Sequence, residues 1–241
     1  MQTALVTGAD RGLGLAMSAE LVGRGWRVFA SSYLVDWPEL RELASRHPDS
    51  ITLVPLDIGS DSSVRQAVDF VRERVDQVDL VINNAAVISF EKDVPIRGKQ
   101  DYEDMMRVYN VNALGALRVV DAVLPLMARS ALKRLCFVSS EAGCVERASR
   151  ESWFGYMMSK RALNMGVGLL FDSLRPQGFS FRLYHPGWVR TYMSGKKNMD
   201  AELEPEEVAA VAIPYFTEPL ADVDDEDRLV MRDWQGSEWP W

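Results

Sequence analysis

The sequence predicts an α/β protein: a single doubly wound domain in which a mostly parallel sheet of about seven strands is flanked by helices. Short β-branched segments alternate with longer segments of helical periodicity along the whole 241-residue chain. The strand segments are apolar almost throughout, which is typical of strands that are covered on both faces. No Pro/Gly/Ser-rich linker or low-complexity tract divides the chain, so we expect residues 1–241 to form one domain.

The predicted strands are the short segments in which valine, isoleucine, phenylalanine and leucine dominate. Each is followed by a loop and then by a segment with helical spacing, which is the pattern of repeated βα units. In chain order the predicted strands are 3–7, 27–31, 51–55, 79–83, 134–139, 179–184 and 228–232.

The predicted helices follow from apolar residues spaced three and four apart. In segment 61–76, Val64, Val68 and Val71 recur at this spacing behind an Asp/Ser start that suits a helix N-cap. Longer helices are predicted at about 100–129 and 152–175. A further helix begins in "ELEPEEVAAVAI", which has acidic residues and a proline in its first turn.

Composition argues against several classes of function. A net charge of −8 and a pI near 4.9 disfavour nucleic acid or an anionic membrane as partner, because both demand basic patches. Cys136 and Cys144 are too few for a disulfide framework or a zinc site, and His47 and His185 are far apart, so we expect no metal. No apolar run approaches the roughly 18 residues of a membrane span, and the first residues lack a signal peptide's features. We therefore expect a cytoplasmic protein.

The loop after the first strand, "VTGADRGLG", is a candidate phosphate site. Gly8, Gly12 and Gly14 stand between a strand and a helix, where glycine lets the backbone turn tightly and approach a pyrophosphate at the helix N-terminus. The spacing is G-x-x-x-G-x-G, which differs from the G-x-G-x-x-G fingerprint. A tight turn without a ligand is the alternative interpretation of the same glycines.

The segment "GYMMSKRAL" places Tyr156 and Lys160 four residues apart on a predicted helix, so both side chains point into the same space. A free phenol has a pKa near 10 and needs a nearby positive charge to act as a base at neutral pH. Lys160 is placed to supply that charge. Taken alone, a Tyr/Lys pair at this spacing is more typical of an interfacial ring beside a solvated ammonium, and the rest of the chain has to favour the acid–base interpretation.

Seven short motifs are spread over nearly the whole chain: "TGADRGLG" (7–14), "LD" (56–57), "NNAA" (83–86), "VNALG" (111–115), "SSEAG" (139–143), "YMMSK" (156–160) and "HPGWVRT" (185–191). Their order and approximate spacing resemble those of the short-chain dehydrogenase/reductase (SDR) family. Within the family, the segments after residue 155 and the tail "WQGSEWPW" are most similar to the C-factor and sniffer-type carbonyl reductases. The resemblance implies a Rossmann-type fold.

The resemblance assigns catalytic roles to four residues. Tyr156 exchanges a proton with the substrate oxygen, and Lys160 tunes Tyr156 and holds the nicotinamide ribose. Ser140 matches the serine that hydrogen-bonds the substrate oxygen, because a small residue and a glycine follow it in "SEAG", and Ser139 is the near competitor. The gap from Ser140 to Tyr156 is a few residues longer than is common in the family. Asn112 matches the asparagine that braces a proton path; without the resemblance it is interpreted as a polar helix residue that bonds backbone.

The resemblance also implies NADP(H) as the preferred cofactor, with NAD(H) as the alternative. Ser31 and Ser32 stand where an acidic residue would bind a ribose 2′-hydroxyl, and Arg11 matches the basic position of members that prefer NADP. A solvated arginine is the alternative interpretation. Asp57 matches the adenine-contacting aspartate, although it could equally cap the next turn. The other expected cofactor contacts are Gly8, Asp10, Gly12, Leu13, Gly14, Ile58, Asn84, Ala85, Ala86, Tyr156, Lys160, Pro186, Gly187, Trp188, Val189 and Thr191.

The expected function is NAD(P)(H)-dependent reduction of a ketone or aldehyde to an alcohol, or the reverse. The substrate would be a small molecule bound between loops 87–99, 141–152 and 187–204. A nucleotide-binding regulatory or signalling protein of the same fold with little turnover is the alternative. Family members often pair through the two long helices, and the apolar surface of segment 152–175 leads us to expect a homodimer.

Overall fold

A computed structural model describes residues 1–34, 36–147, 149–219 and 226–240 of the chain. In these ranges eight strands form one sheet in the order β3-β2-β1-β4-β5-β6-β7-β8. β1 to β7 are parallel, and β8 pairs antiparallel with β7 at the sheet edge. The strands are β1 (Thr3–Val6), β2 (Arg27–Ser32), β3 (Ile51–Pro55), β4 (Leu80–Asn83), β5 (Arg134–Val138), β6 (Ser180–His185), β7 (Met231–Asp233) and β8 (Glu238–Trp239).

The helices connect successive parallel strands and cover both faces of the sheet. The helices are α1 (Gly12–Gly23), α2 (Pro38–Arg46), α3 (Asp61–Arg72), α4 (Tyr102–Tyr109), α5 (Ala116–Met127), α6 (Phe154–Leu174) and α7 (Pro205–Thr217). A π-helical turn, Asn110–Gly115, joins α4 to α5, and single 3₁₀ turns occupy Glu141–Gly143 and Arg175–Gln177.

Two apolar cores lie on the two faces of the sheet. On one face, α3, α5 and α6 pack through residues such as Val68, Val120 and Val167. On the other face, α1, α2 and α7 pack through residues such as Met17 and Ile213. The strands between them are buried on both sides, and every residue of β1 and β5 is buried. This explains why the strand sequences are apolar without alternation.

The strand order reverses at β1, which pairs with β2 on one side and with β4 on the other. In an open α/β sheet such a reversal leaves a crevice beyond the carboxyl ends of the two strands, and ligands bind there. The loops after β1, β4, β5 and β6 meet at this edge, so the fold brings the predicted motifs together.

The sequence prediction of the fold is confirmed, with differences in detail. β8 adds an eighth, two-residue strand, and the final parallel strand begins at Met231 where residue 228 was expected. The helix predicted at 100–129 is interrupted by the π turn. Its Tyr102–Met127 stretch passes a length-and-composition test for a membrane span, but half of the most apolar window is buried in the protein, as in a core helix. In the predicted loop 141–152, Ala148 lies outside the described residues.

Candidate active site

The glycine turn between β1 and α1 is shaped by positions that exclude a side chain. Gly8 and Gly12 have φ angles of 64° and 57°, in the left-handed region that favours glycine. A Cβ at Gly14 would lie 2.1 Å from the Gly8 carbonyl oxygen, and a Cβ at Gly8 would lie 2.9 Å from Ala85 Cα. The turn therefore keeps bare backbone at the start of α1, an arrangement that fits a pyrophosphate.

The glycine turn is fastened to the loop after β4 by Thr7 and Asn84. The backbone N–H groups of Asn84 and Ala85 both donate to Thr7 Oγ1 at 3.0 Å. The Asn84 side-chain amide donates to the carbonyl oxygens of Thr7 and Gly8 at 2.9 and 3.1 Å. These bonds fix the two sides of the crevice relative to each other. Ala86, which follows, is half-buried beside them.

The end of β2 carries serines that support the glycine turn. Ser31 and Ser32 are buried; Ser31 Oγ accepts from Gly8 N at 3.3 Å, and the Ser31 carbonyl accepts from Ala9 N at 2.7 Å. No acidic side chain stands at these two positions, as the sequence predicted. The Ser31 hydroxyl is already engaged with the turn, so its part in the fold is to hold the glycine loop.

Arg11 lies across the loop that follows β2. Its guanidinium is 4.8 Å from the Trp37 ring centroid and 3.2 Å from an Asp10 carboxylate oxygen. Asp10 is buried and also accepts from Leu34 N at 3.1 Å. The Trp37 ring in turn meets Tyr192, with centroids 5.1 Å apart. The Arg11 guanidinium is thus held by stacking on Trp37 and by the Asp10 carboxylate.

The remaining expected cofactor contacts lie at the start of α1 and in the segments that follow β3 and β6. Asp57 Oδ1 accepts from Gly59 N at 2.8 Å, so its carboxylate caps the following turn, as the alternative interpretation held. Ile58 and Leu13 are buried. In the segment after β6, Gly187 has a φ of 77° and Thr191 packs against Gly12.

Backbone contacts tie the segment after β6 to itself. A bridge pairs Val189 with Leu203, and Arg190 N donates to the Leu203 carbonyl at 2.9 Å. Pro186 is half-buried and Trp188 is exposed. The two ends of the loop 187–204 are therefore held together.

Tyr156 and Lys160 lie on the buried face of α6, one turn apart, as their spacing predicted. Lys160 Nζ is 5.8 Å from the centroid of the Tyr156 ring and donates to the Val138 carbonyl at 3.0 Å. Burial lowers the pKa of Lys160 to about 8, against the opposing charge of Glu141. The side chain therefore carries its positive charge at neutral pH.

The pKa of Tyr156 differs from the sequence-based expectation. Burial raises it to about 12, Glu141 adds to the rise, and the Ser140 hydroxyl and Arg150 oppose it. The sequence argument relied on Lys160 to lower this pKa, but desolvation of a nearly enclosed phenol outweighs the nearby charges. The phenol is consequently a protonated acid at neutral pH.

The structure distinguishes the two candidate serines. Ser139 Oγ donates to Asn164 Oδ1 at 2.6 Å within the core and is consumed by that bond. Ser140 Oγ interacts with the Tyr156 phenol, donates to Glu141 Oε2 at 2.6 Å and accepts from Ala142 N at 3.1 Å. Ser140 is therefore the serine that faces the tyrosine.

Asn112 sits in the π-helical turn between α4 and α5, and π turns inside α-helices are often found at functional sites. Its Oδ1 accepts from Val87 N at 2.8 Å, and its Nδ2 donates to the Val87 carbonyl at 2.8 Å and to Ser159 Oγ at 2.9 Å. Ser159 Oγ donates to the Tyr156 carbonyl at 2.7 Å. Asn112 thus connects the loop after β4 with the helix that carries Tyr156.

An aromatic ring and charged groups stand beside the phenol. Trp153 precedes α6 with a φ of 67°, an uncommon conformation for a tryptophan, and its ring meets Tyr156 edge-on at 6.2 Å. Arg150 lies 4.6 Å and Lys92 5.1 Å from the Trp153 ring centroid. Phe90, in the loop 87–99 that the sequence predicts as a wall of the pocket, is 83% exposed.

Three contributors were missed by the residue-level prediction. Thr7 was not predicted as a site residue, although a hydroxyl directly before a glycine turn can accept hydrogen bonds from backbone N–H groups. Ser159 has no distinguishing sequence signal inside "YMMSK". Arg150 pairs with Glu141, which stands nine positions earlier in the sequence, a spacing that no periodicity predicts.

A protonated phenol, a lysine ammonium and a serine hydroxyl converge at the mouth of a crevice suited to a dinucleotide. This arrangement defines an α/β oxidoreductase of the dinucleotide-binding class.

Comparisons with known proteins identify the family. A family model described as short chain dehydrogenase matches residues 2–202. The chain is 39% identical over 164 residues to the C-signal of Myxococcus xanthus, covering 68% of this chain and 93% of that protein. It therefore belongs to the short-chain dehydrogenase family.

Solved structures agree with this assignment. The NADPH-bound carbonyl reductase from chicken fatty liver has a TM-score of 0.87 and 27% identity, covering 100% of this chain and 99% of that chain. The carbonyl reductase Sniffer of D. melanogaster has a TM-score of 0.87 and 22% identity over 100% of both chains, a likeness of fold. The predicted resemblance to C-factor and sniffer-type proteins is confirmed.

Proposed function

We propose that this protein reduces a ketone or aldehyde to an alcohol with NADP(H), or catalyses the reverse oxidation. The observation that carries the proposal is the buried Tyr156 phenol. The phenol stands next to Ser140 and one turn from Lys160, and burial raises its pKa to about 12, so it holds its proton at neutral pH. A carbonyl oxygen that gains electrons needs such a proton donor. Membership of the dehydrogenase family and likeness to a carbonyl reductase support the same chemistry.

Each of the four residues has a distinct part in this proposal. Tyr156 delivers its proton to the substrate oxygen, and Ser140 steadies the charge that develops there. Lys160 holds a positive charge beside the phenolate that the transfer leaves behind. Asn112 acts through position, because its amide is fully engaged in holding Val87 and Ser159. When bound, the nicotinamide supplies hydride to the carbonyl carbon or takes it from the alcohol.

NADP(H) is the cofactor that the residues of the crevice favour. The bare backbone at Gly8, Gly12 and Gly14 suits the pyrophosphate, and the absence of an acid at Ser31 and Ser32 spares a 2′-phosphate from repulsion. Arg11 presents a guanidinium nearby, although a phosphate must compete with Asp10 for it. The similar carbonyl reductase from chicken fatty liver binds NADPH, which supports the same choice.

The test is a panel of ketones, aldehydes and alcohols assayed by nicotinamide absorbance with both cofactors. Tyr156→Phe removes the hydroxyl alone, so we expect turnover to fall by about a hundred- to ten-thousandfold, with nearly unchanged cofactor affinity. Tyr33→Phe, an exposed tyrosine, is the matched control and should keep full activity. A folded Tyr156→Phe protein with wild-type turnover would contradict the assignment.

A signalling role with little turnover is the second candidate, because the relative with 39% identity is named C-signal. Such a role predicts cofactor binding without reduction of any compound in the panel. Binding measured by fluorescence, combined with the absorbance assay, separates the two candidates. We propose a cytoplasmic location for either function, from the composition alone.

A homodimer is the proposed assembly. Exposed apolar side chains form stripes on α4 and α6, two helices that pack against each other. Apolar surface of this kind that is exposed to solvent favours association. Leu170, in the segment 152–175 whose apolar surface suggested a homodimer, instead packs against the core. The stripe residues are Tyr102, Met106, Tyr109, Met158, Met165 and Leu169.

A C2 pairing would cover both stripes with the same patch of a second copy. Among the described residues of 144–153, no helix intervenes as a shield. Light scattering at micromolar concentration should give twice the 27.1 kDa chain mass. Met165→Glu should halve the measured mass, whereas Val211→Glu, exposed on α7, should leave it unchanged. A wild-type monomer would refute this assembly.

A further inference from the structure

Glu141 is the first residue after the serine that faces Tyr156, and its carboxylate is engaged at both oxygens. Oε2 accepts the Ser140 hydroxyl proton at 2.6 Å. Oε1 pairs with Arg150 Nη1 at 2.7 Å, and the two side chains are each about one-third exposed. The Ala142 backbone N–H completes the set by donating to Ser140 Oγ at 3.1 Å.

These bonds fix the orientation of the Ser140 hydroxyl. A serine hydroxyl has one proton to donate and two lone pairs that accept. In this arrangement the proton is committed to Glu141, and one lone pair accepts from Ala142. To donate to a substrate oxygen, the hydroxyl must rotate away from a carboxylate. The oxygen that forms during reduction is a stronger base than a carboxylate, so the rotation is favoured as the reaction proceeds.

The charge of Glu141 acts on titratable groups of several elements packed around it. From α6, Tyr156 and Lys160 both have their pKa raised by this carboxylate. At the end of β6, burial lowers the pKa of His185, so this ring adds no positive charge at neutral pH. From its own loop, Arg150 opposes the effect on Tyr156.

Glu141 itself remains ionised. Burial raises its pKa, but hydrogen bonds from Ser140 and Arg150 and the positive charge of Arg150 together outweigh burial and lower the pKa below its ordinary value. A second cation, Arg161 on α6, is occupied at the far end of the same 3₁₀ turn, where it donates to the Gly143 carbonyl at 3.1 Å.

We propose that Glu141 is a positioning residue of the reaction. Its carboxylate, anchored by Arg150, orients the Ser140 hydroxyl and keeps a fixed negative charge beside Tyr156, so that carbonyl reduction persists to higher pH. This inference rests on the proposed reductase function. It adds Glu141 to the residues that govern proton transfer at the site, and the effect of Glu141 appears in the pH profile of the reaction.

The test compares pH profiles of kcat/KM for carbonyl reduction by the cofactor-saturated enzyme. In Glu141→Gln the charge is lost while the shape is kept, and we expect the alkaline limb to move to lower pH by about half to one unit, a three- to tenfold loss at a fixed pH on that limb. Glu141→Asp retains the charge, so its limb should stay near the wild-type position. Arg150→Gln removes the opposite charge and should move the limb to higher pH.

Glu146→Gln is the matched control, because it removes the charge of an exposed carboxylate in the same loop. Its profile should coincide with that of the wild type. A uniform loss of rate in Glu141→Gln with an unmoved alkaline limb would assign Glu141 a structural role only and overturn the proposal. The proposal fails equally if Glu146→Gln shifts the limb as far as Glu141→Gln.

A second readout does not depend on turnover. Tyrosine labelled with ¹³C at the hydroxyl-bearing ring carbon reports phenol ionisation by NMR, and the Tyr156 signal is the one lost in Tyr156→Phe. With NADP⁺ added to the protein, the Tyr156 phenol should begin to ionise at lower pH in Glu141→Gln than in the wild type. Coincident titration curves of the two proteins would refute the proposal. If the wild type reduces no compound in the panel, the reductase function fails while this titration still decides the role of Glu141.

Discussion

Replacing Lys160 by methionine should make the protein more stable while removing its activity. Lys160 is 3% exposed, and its ammonium donates a hydrogen bond to the Val138 carbonyl. Holding an ammonium in such a place costs free energy of desolvation, which appears as the fall of its pKa from 10.5 to about 8. Methionine fills a similar volume without a charge.

The size and sign of the effect follow from proton linkage. Each pKa unit corresponds to 1.36 kcal/mol, so the fall from 10.5 to about 8 represents on the order of 3 kcal/mol of destabilisation at neutral pH. Between pH 8 and 10.5 the unfolded chain binds the proton and the folded protein does not, so the free energy of unfolding of the wild type rises with pH there. Below pH 8 both states are protonated and the full cost remains. Lys160→Met also loses the hydrogen bond to the Val138 carbonyl, which offsets about 1 kcal/mol of the gain in the free energy of unfolding.

The assay is urea unfolding of the cofactor-free protein at pH 7 and pH 9.5. We expect Lys160→Met to be more stable than the wild type by about 2 kcal/mol at pH 7, and the two proteins to be nearly equal at pH 9.5. Lys196→Met, at an exposed lysine, is the control and should show no pH-dependent difference. A stability difference that is the same at both pH values would refute the reasoning, as would a Lys160→Met protein that is less stable at pH 7.

Two further predictions concern the cofactor crevice. Gly14→Ala places a Cβ 2.1 Å from a backbone oxygen, so we expect NADPH affinity to fall by more than about a hundredfold. Fluorescence titration measures this affinity. Gly23→Ala is the control and should bind NADPH normally, because a Cβ there meets nothing within 4 Å. Arg11→Ala should weaken NADPH by roughly ten- to a hundredfold and leave NADH nearly unchanged, because a charge-assisted bond to the 2′-phosphate is lost. Equal losses for both cofactors would show that Arg11 serves the fold through Asp10 and Trp37.

The fold was accessible from the sequence because its signals are local and repeated. Each strand was placed within a few residues, since a buried parallel strand is a short apolar run that ends where a polar loop begins. The two-residue β8 carries no such run. The π turn at Asn110–Gly115 also escaped prediction, because a widened helical turn keeps helical periodicity to within one residue.

The site was only partly accessible, because its decisive properties depend on distant residues. Spacing alone placed Tyr156 and Lys160 on one face of a helix. The choice between Ser139 and Ser140 depends on Asn164 on α6, whose side-chain oxygen accepts the hydrogen bond of the Ser139 hydroxyl. The direction of the Tyr156 pKa depends on how completely the fold encloses the phenol, and no stretch of sequence encodes enclosure.

Buried polar side chains on α6 connect the assembly of the fold to the assembly of the site. Ser159, Lys160 and Asn164 are all nearly inaccessible to solvent, and each would be costly to bury unpaired. Their partners lie on other elements: Asn112 in the π turn bonds Ser159, the last residue of β5 accepts from Lys160, and Ser139 just after β5 bonds Asn164. Helix α6 can therefore dock with its polar groups satisfied only when the π turn and the end of β5 are already in place. The contacts that place Tyr156 in the crevice are the same ones that make this docking favourable, so the chemistry of the site depends on the complete fold.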